Sequence, residues 1–268
     1  MTNPFADFST LELTAQGYRH TFVDQGQGAP VLLIHGSLCD WRYWRWQIPA
    51  FATQYRVLAP SLRSYWPGAP SPGHFSTAQH AQDLQALLDQ HIPDEKVHIV
   101  GHSRGGHVAL LLAQRMPEQV ASLTLADPGF PTPGAYSYAP LFQQVAERLE
   151  QGDRDGAMAL FVDTVNGSGT WKQMTRWFRE MIQDNAHTML DQQQEPNQGP
   201  DLEWLKQMKA PLSFITGENS PTRYHHCMDI IRQHRREDQM HRIPLAAHGM
   251  NLANPKAFNQ AVLDALQA

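Results

Sequence analysis

The sequence predicts an α/β fold, a mostly parallel sheet covered by helices on both faces. Two patterns lead there. Short apolar runs alternate with helical stretches along most of the chain, the arrangement of strands crossed over by helices. Several runs, such as Val31-Leu32-Leu33-Ile34, are apolar without a break, which suits strands buried on both faces rather than on one. A third observation fits the same frame. Gly101-His102-Ser103-Arg104-Gly105 lies between an apolar run and a helical stretch, a strand–turn–helix junction.

The elements follow in order. Two weak strands are expected at residues 11–14 and 18–23, and stronger ones at 31–34, 56–59, 97–100 and 123–126. Later strands are expected at 212–216 and 241–244. Helices are expected at 76–91, 106–116, 221–234 and 255–267. Residues 128–200 interrupt the alternation. They begin with the Pro- and Gly-rich loop 128–134 and continue as helical patterns at 139–151, 153–165, 170–185 and 186–194. An insertion with no strand pattern, set in an α/β chain, reads as a lid. The expected organisation is a core of residues 1–127 and 201–268 with a helical cap at 128–200.

The composition excludes several functions. Of the 268 residues, 41% are hydrophobic and 18% charged, with a net charge of −5, the balance of a globular domain with a sizeable core. No basic block is present, so nucleic acid and anionic membrane are not expected partners. The opening MTNPFADFST has neither the basic nor the apolar segment of a signal peptide, and no apolar run reaches membrane-spanning length. The two cysteines, Cys39 and Cys227, lack metal-ligand spacing. They read as free thiols in a cytoplasmic protein. No metal and no cofactor is expected. Homodimerisation is left open.

The strongest chemical signal is Ser103. G-x-S-x-G between a strand and a helix is a nucleophile elbow: the serine sits on a tight turn, and glycines make room where the two backbones crowd. The helix N-terminus that follows favours developing negative charge. A glycine-rich turn with an inert serine is the plain alternative. The chain has 14 histidines, and His248 stands out by position alone. It follows the last strand in a loop, where it would accept the Ser103 proton. His225, His226, His234 and His241 are nearby but belong to a helix or a strand start.

These residues resemble the α/β-hydrolase superfamily over nearly the whole chain. The resemblance is carried by Leu32-Leu33-Ile34-His35-Gly36-Ser37, by 101–106, by Ala126-Asp127-Pro128, by 214–221, and by His248 through Asn254-Pro255. It implies the α/β-hydrolase fold: an eight-stranded mostly parallel sheet flanked by helices, with a helical cap inserted after the sixth strand. It also implies an oxyanion hole made of the backbone N–H groups of Ser37 and Arg104.

The acid departs from the family pattern. The turn at Gly217 usually leads to an aspartate, and that position holds Ser220. A serine carries no charge at neutral pH and cannot balance an imidazolium. Glu218 comes two residues early and reads as a solvated turn residue. Asp229 and Asp238 read as surface. Asp127, at the end of the neighbouring strand, is the better candidate, since some α/β-hydrolases draw the acid from there. The competing reading makes Asp127 a turn former in Asp-Pro-Gly.

The expected pocket residues are His35, His102, Trp41, Trp171 and Trp177. In Trp41-Arg42-Tyr43-Trp44-Arg45-Trp46, one aromatic pair, Trp41 with Trp44 or Tyr43 with Trp46, would line an apolar pocket while Arg42 and Arg45 face solvent. Ordinary packing is the competing reading for most of these aromatics. The expected activity is a serine hydrolase acting on a small to medium, apolar or aromatic ester or lactone, with Ser103, His248 and Asp127 as the triad. Carbon–carbon bond hydrolysis uses the same residues. Two other classes stay open: a cofactor-independent oxygenase of N-heteroaromatic compounds using the His–Asp pair, and a non-catalytic binding protein.

Overall fold

A computed structural model describes residues 5–71, 73–132, 137–196 and 198–268. Residues 1–4 of the opening stretch, and Pro133 and Gly134 of the loop expected at 128–134, lie outside them. The strands are β1 (Thr10–Ala15), β2 (Tyr18–Gln25), β3 (Pro30–Ile34), β4 (Arg56–Pro60), β5 (Val97–His102), β6 (Val120–Ala126), β7 (Leu212–Gly217) and β8 (Gln239–Ile243). They form one sheet in the order β1-β2-β4-β3-β5-β6-β7-β8. The pairings β1/β2 and β2/β4 are antiparallel, and the other neighbours run parallel. Each strand expected from the sequence is present.

Side-chain alternation explains the unbroken apolar runs. On β3, Leu32 and Ile34 enter the core on one face, while Val31 and Leu33 enter the core on the other. The first core packs under the helices Thr77–His91, Arg104–Arg115 and Thr222–Arg232. The second packs under the turn Trp41–Trp44, the short helix Ile48–Phe51 and the C-terminal helix Pro255–Leu266. Helix Thr77–His91 begins where Ser76 Oγ accepts the Gln79 N–H at 3.0 Å, an N-cap.

The chain leaves β3 toward β4 on one side and returns to β5 on the other. The sheet therefore switches direction at the β3–β5 pair, where α/β folds open a crevice at the strand C-termini. Between β6 and β7 lie the helices Ala139–Glu150, Arg154–Asn166, Thr170–Gln173, Arg176–Asp184 and Thr188–Gln193. The single helix expected over 170–185 is broken. Met174 and Thr175 are extended, with ψ of 140° and 155°, so the chain turns before Arg176. The insertion has its own apolar cluster, and Leu38 of the β3 loop is part of it. It meets the sheet through polar contacts too. Asp40 Oδ2 accepts from Asn185 Nδ2 at 2.8 Å, and Arg42 bridges Asp40 and Asp184.

Candidate active site

Ser103 stands between β5 and the helix Arg104–Arg115 with φ 57° and ψ −125°, a conformation that L residues rarely hold without support. The support is visible. Ser103 N–H donates to Ala126 O at 3.0 Å, and Ser103 O accepts from Gly106 N and Gly129 N. A Cβ on Gly105 would stand 2.3 Å from Ile34 O and 2.5 Å from His35 O. A Cβ on Gly36 would stand 2.9 Å from the Ser103 Cβ. The glycines are therefore demanded by close approach of β3 to the turn.

His248 lies in the loop after β8, and its ring is buried. Its Nδ1–H donates to Asp127 Oδ2 at 3.2 Å, which leaves Nε2 as the unprotonated acceptor. Asp127 follows β6, is fully buried, and has φ 41°. Its Oδ1 accepts from Thr216 Oγ1 at 2.6 Å and its Oδ2 from Ser220 Oγ at 2.5 Å. Ser220, at the position where the family pattern expects the acid, donates a hydrogen bond to the Asp127 carboxylate instead. Ser220 Oγ also accepts the Gly217 N–H at 3.0 Å, which fixes its rotamer. Glu218 lies on the surface, where its Oε2 accepts the Leu245 N–H at 2.9 Å.

Burial dominates the electrostatics. It pushes the Asp127 carboxyl from 3.8 up to about 6, against the hydrogen bonds from Ser220 and Thr216 that lower it. Burial also holds the His248 imidazole well below its ordinary range, and the Arg223 guanidinium adds to this. At neutral pH the pair is therefore a carboxylate beside a neutral imidazole, the protonation state a general base requires.

Two rings flank His248. Tyr224 stacks on it with centroids 3.8 Å apart and planes 2° apart, and His102 lies at 4.5 Å and 34°. His102 Nε2–H donates to the His248 carbonyl at 2.8 Å. Ser37 and Arg104 both border the cavity. Arg104 is the first residue of its helix, so its N–H has no intrahelical partner. The Arg104 side chain turns away into a buried pair with Glu195, Nη1 to Oε2 at 2.6 Å.

The cavity over Ser103 and His248 has a volume of about 1030 Å³, with walls from both the sheet side and the insertion. Tyr43, Trp46, Phe142, Phe161, Trp177 and Phe178 give it an apolar character. Of the expected pocket residues, His102 and Trp177 line it. His35, Trp41 and Trp171 do not, and each has another task. His35 bridges the two crossing loops, with Nδ1 against Gly36 O at 2.9 Å and Nε2 accepting the Leu62 N–H at 3.0 Å. Trp41 packs edge-on to Phe5 and lies against Trp66. Trp171 belongs to the apolar cluster of the insertion. Of the two aromatic pairs weighed, Tyr43 with Trp46 faces the cavity. Arg42, expected in solvent, is buried against Asp40. Sequence reasoning missed Ser220, Thr216 and Tyr224 as site residues. Ser220 carried a signal, since it occupies the place of the missing aspartate.

Fold and site together are those of an α/β hydrolase. The chain belongs to the alpha/beta hydrolase family, whose profile matches residues 31–261. It is 34% identical over 159 residues to a soluble epoxide hydrolase from Corynebacterium sp. (strain C12), covering 56% of this chain and 53% of that one. It is 33% identical over 150 residues to a 2-hydroxymuconate semialdehyde hydrolase from Pseudomonas sp. (strain CF600), covering 52% and 53%. The chain thus matches about half the length of these curated relatives. Among solved structures, a thermophilic esterase from Thermogutta terrifontis superposes with a TM-score of 0.78 at 22% identity, over 97% of this chain and 98% of that one, a likeness of fold. Among the described residues no helix is long and apolar enough to cross a membrane.

Proposed function

We propose that this protein is a serine hydrolase of carboxylic esters or lactones with an apolar or aromatic acyl group. The observation that carries the reading is the buried bond from His248 Nδ1 to Asp127, in a loop that borders the same cavity as Ser103. In this mechanism His248 Nε2 takes the Ser103 proton as Oγ attacks the carbonyl carbon. The N–H groups of Ser37 and Arg104 receive the developing oxyanion. His248 then returns the proton to the leaving alcohol, an acyl-enzyme remains on Ser103, and water releases the acid by the reverse proton path. Asp127 orients the imidazole and balances its transient charge.

The helical insertion serves as the cap that supplies the apolar wall. That wall, and the neutralisation of Arg104 by Glu195, favour an uncharged acyl group next to the carbonyl. Epoxide opening by this superfamily's route needs a carboxylate nucleophile, and position 103 is serine. Two buried, unpaired cysteines fit a reducing compartment such as the cytoplasm.

The test is turnover of p-nitrophenyl acetate, butyrate and phenylacetate by wild type and Ser103→Ala, with oxygen uptake on hydroxyquinolones run in parallel. Ester hydrolysis lost in Ser103→Ala is the expected result. Oxygen uptake that persists in Ser103→Ala, without ester turnover, overturns the reading in favour of an oxygenase.

A further inference from the structure

The loop after β7 supplies the acid in the family pattern, and here that loop and the helix it leads into supply two other groups. Ser220 holds the carboxylate. Four residues on, in the first turn of the helix Thr222–Arg232, Tyr224 lies flat on the general base, with ring centroids 3.8 Å apart and planes 2° apart. We propose that Tyr224 is a positioning residue for the base: its ring fixes the plane of the His248 imidazole, and its π face stabilises the imidazolium formed when Ser103 is deprotonated. The inference rests on the assignment of His248 as general base.

Three observations carry it. A near-parallel ring pair at this distance leaves the imidazole no room to rotate out of plane, and the closely packed ring of His102 at 4.5 Å limits the other side. The in-plane restraint is comparatively long, 3.2 Å to Asp127 Oδ2, so a restraint normal to the ring complements it. Tyr224 itself is held, since it is 1% exposed and its hydroxyl lies 3.5 Å from Val165 O of the insertion. At that length the hydroxyl contact is weak, and the ring is the working part.

The face of an electron-rich ring attracts a cation. The other titratable or charged groups around His248 are Asp127 after β6, His102 at the end of β5, and Arg223 on the helix of Tyr224 itself. Asp127 favours the imidazolium and Arg223 opposes it. His102 is held neutral by burial, with its imidazole pushed down to about 3. Tyr224 therefore adds to Asp127 in offsetting burial and Arg223.

The test compares p-nitrophenyl acetate hydrolysis against pH in wild type, Tyr224→Phe, Tyr224→pentafluorophenylalanine and Tyr224→Met. The phenyl variant keeps the ring and its π charge, and the fluorinated ring keeps the shape but reverses the charge on its face. The acid limb reports the pair on the neutral-imidazole side, so losing stabilisation of the imidazolium moves it to lower pH. Tyr224→Phe should match wild type. The fluorinated ring should lower kcat about tenfold and move the limb down by about half a pH unit or more. Tyr224→Met, with no ring, should do both. A fluorinated variant with the kcat and limb of Tyr224→Phe overturns the electrostatic role, and a Tyr224→Met with wild-type kcat overturns positioning. Ser103→Ala and His248→Ala run alongside. If neither lowers hydrolysis, the serine-hydrolase reading fails instead, and the two failures are told apart.

Discussion

At the end of the sheet, Ser220 stands where the family pattern expects a carboxylate, and Asp127 of the neighbouring strand end holds the bond to His248. Asp127 is buried with its carboxyl raised to about 6, so ionising it at neutral pH opposes folding by about 3 kcal/mol. The sign follows from the direction of the shift. The native carboxyl holds its proton more tightly than an unfolded one, so stability from this group is present below about pH 4 and lost as pH rises to about 6. Asp127→Asn should therefore lose activity yet unfold at equal or higher denaturant concentration than wild type at pH 7.5, as urea titration would read. An Asn variant markedly less stable than wild type would mean the carboxylate serves the fold. Ser220→Ala removes a 2.5 Å hydrogen bond that lowers the Asp127 pKa. The acid limb of kcat should move to higher pH and kcat should fall about tenfold, the value of a hydrogen bond to a charged group. Sequence context singles out Ser103 and His248, and makes Asp127 a better candidate acid than Glu218, Asp229 or Asp238; the bond from His248 to Asp127 is what the structure adds. Tyr224 was not legible, because a stack between a helix and a loop distant in sequence leaves no periodicity.

The elements around the site are tied by charge. Arg104, whose N–H is assigned to the oxyanion hole, has its guanidinium in a buried bidentate pair with Glu195, at 2.6 and 3.0 Å. Glu195 Oε1 also accepts the Thr77 N–H at 2.8 Å, at the start of the helix Thr77–His91. One carboxylate thus joins the insertion, the nucleophile turn and the neighbouring helix. Glu195→Gln leaves a buried guanidinium without its charge partner, and unfolding free energy should drop by about 3 kcal/mol. A loss under 1 kcal/mol in a denaturant titration would show the pair to be dispensable. Helix and strand identities were legible because apolar runs and helical patterns are local features of the chain. The break at Met174–Thr175 was not, since the stretch 170–185 contains neither Gly nor Pro and the turn is set by packing.

At the scale of the whole molecule, an eight-stranded, mostly parallel sheet was implied by the family resemblance, while the interior of the cavity was hidden. Aromatic residues occur in both the core and the pocket wall, and composition cannot separate them. Trp41 and Trp171 went to packing, whereas Tyr43 and Trp46 face the cavity. For Trp41 and Tyr43 the difference is which way the turn Trp41–Trp44 rotates on the sheet, a property of the assembled layers. A cavity of about 1030 Å³ at the sheet's switch point exceeds what an acetyl group fills. Selectivity should therefore rise with acyl size. In an ester series, kcat/KM for phenylacetate above that for acetate is the expected order, and Trp177→Ala should flatten it.

In the proposed mechanism Ser103 is activated by His248 with Asp127, not Glu218, as the acid. Fluorophosphonate labelling followed by peptide mass mapping tests it most directly, on wild type, Ser103→Ala, Asp127→Asn and Glu218→Gln. The expected result is a label on Ser103, none in Ser103→Ala, a rate reduced by orders of magnitude in Asp127→Asn, and a wild-type rate in Glu218→Gln. A folded wild type that takes no label, or labelling slowed by Glu218→Gln and untouched by Asp127→Asn, would contradict it.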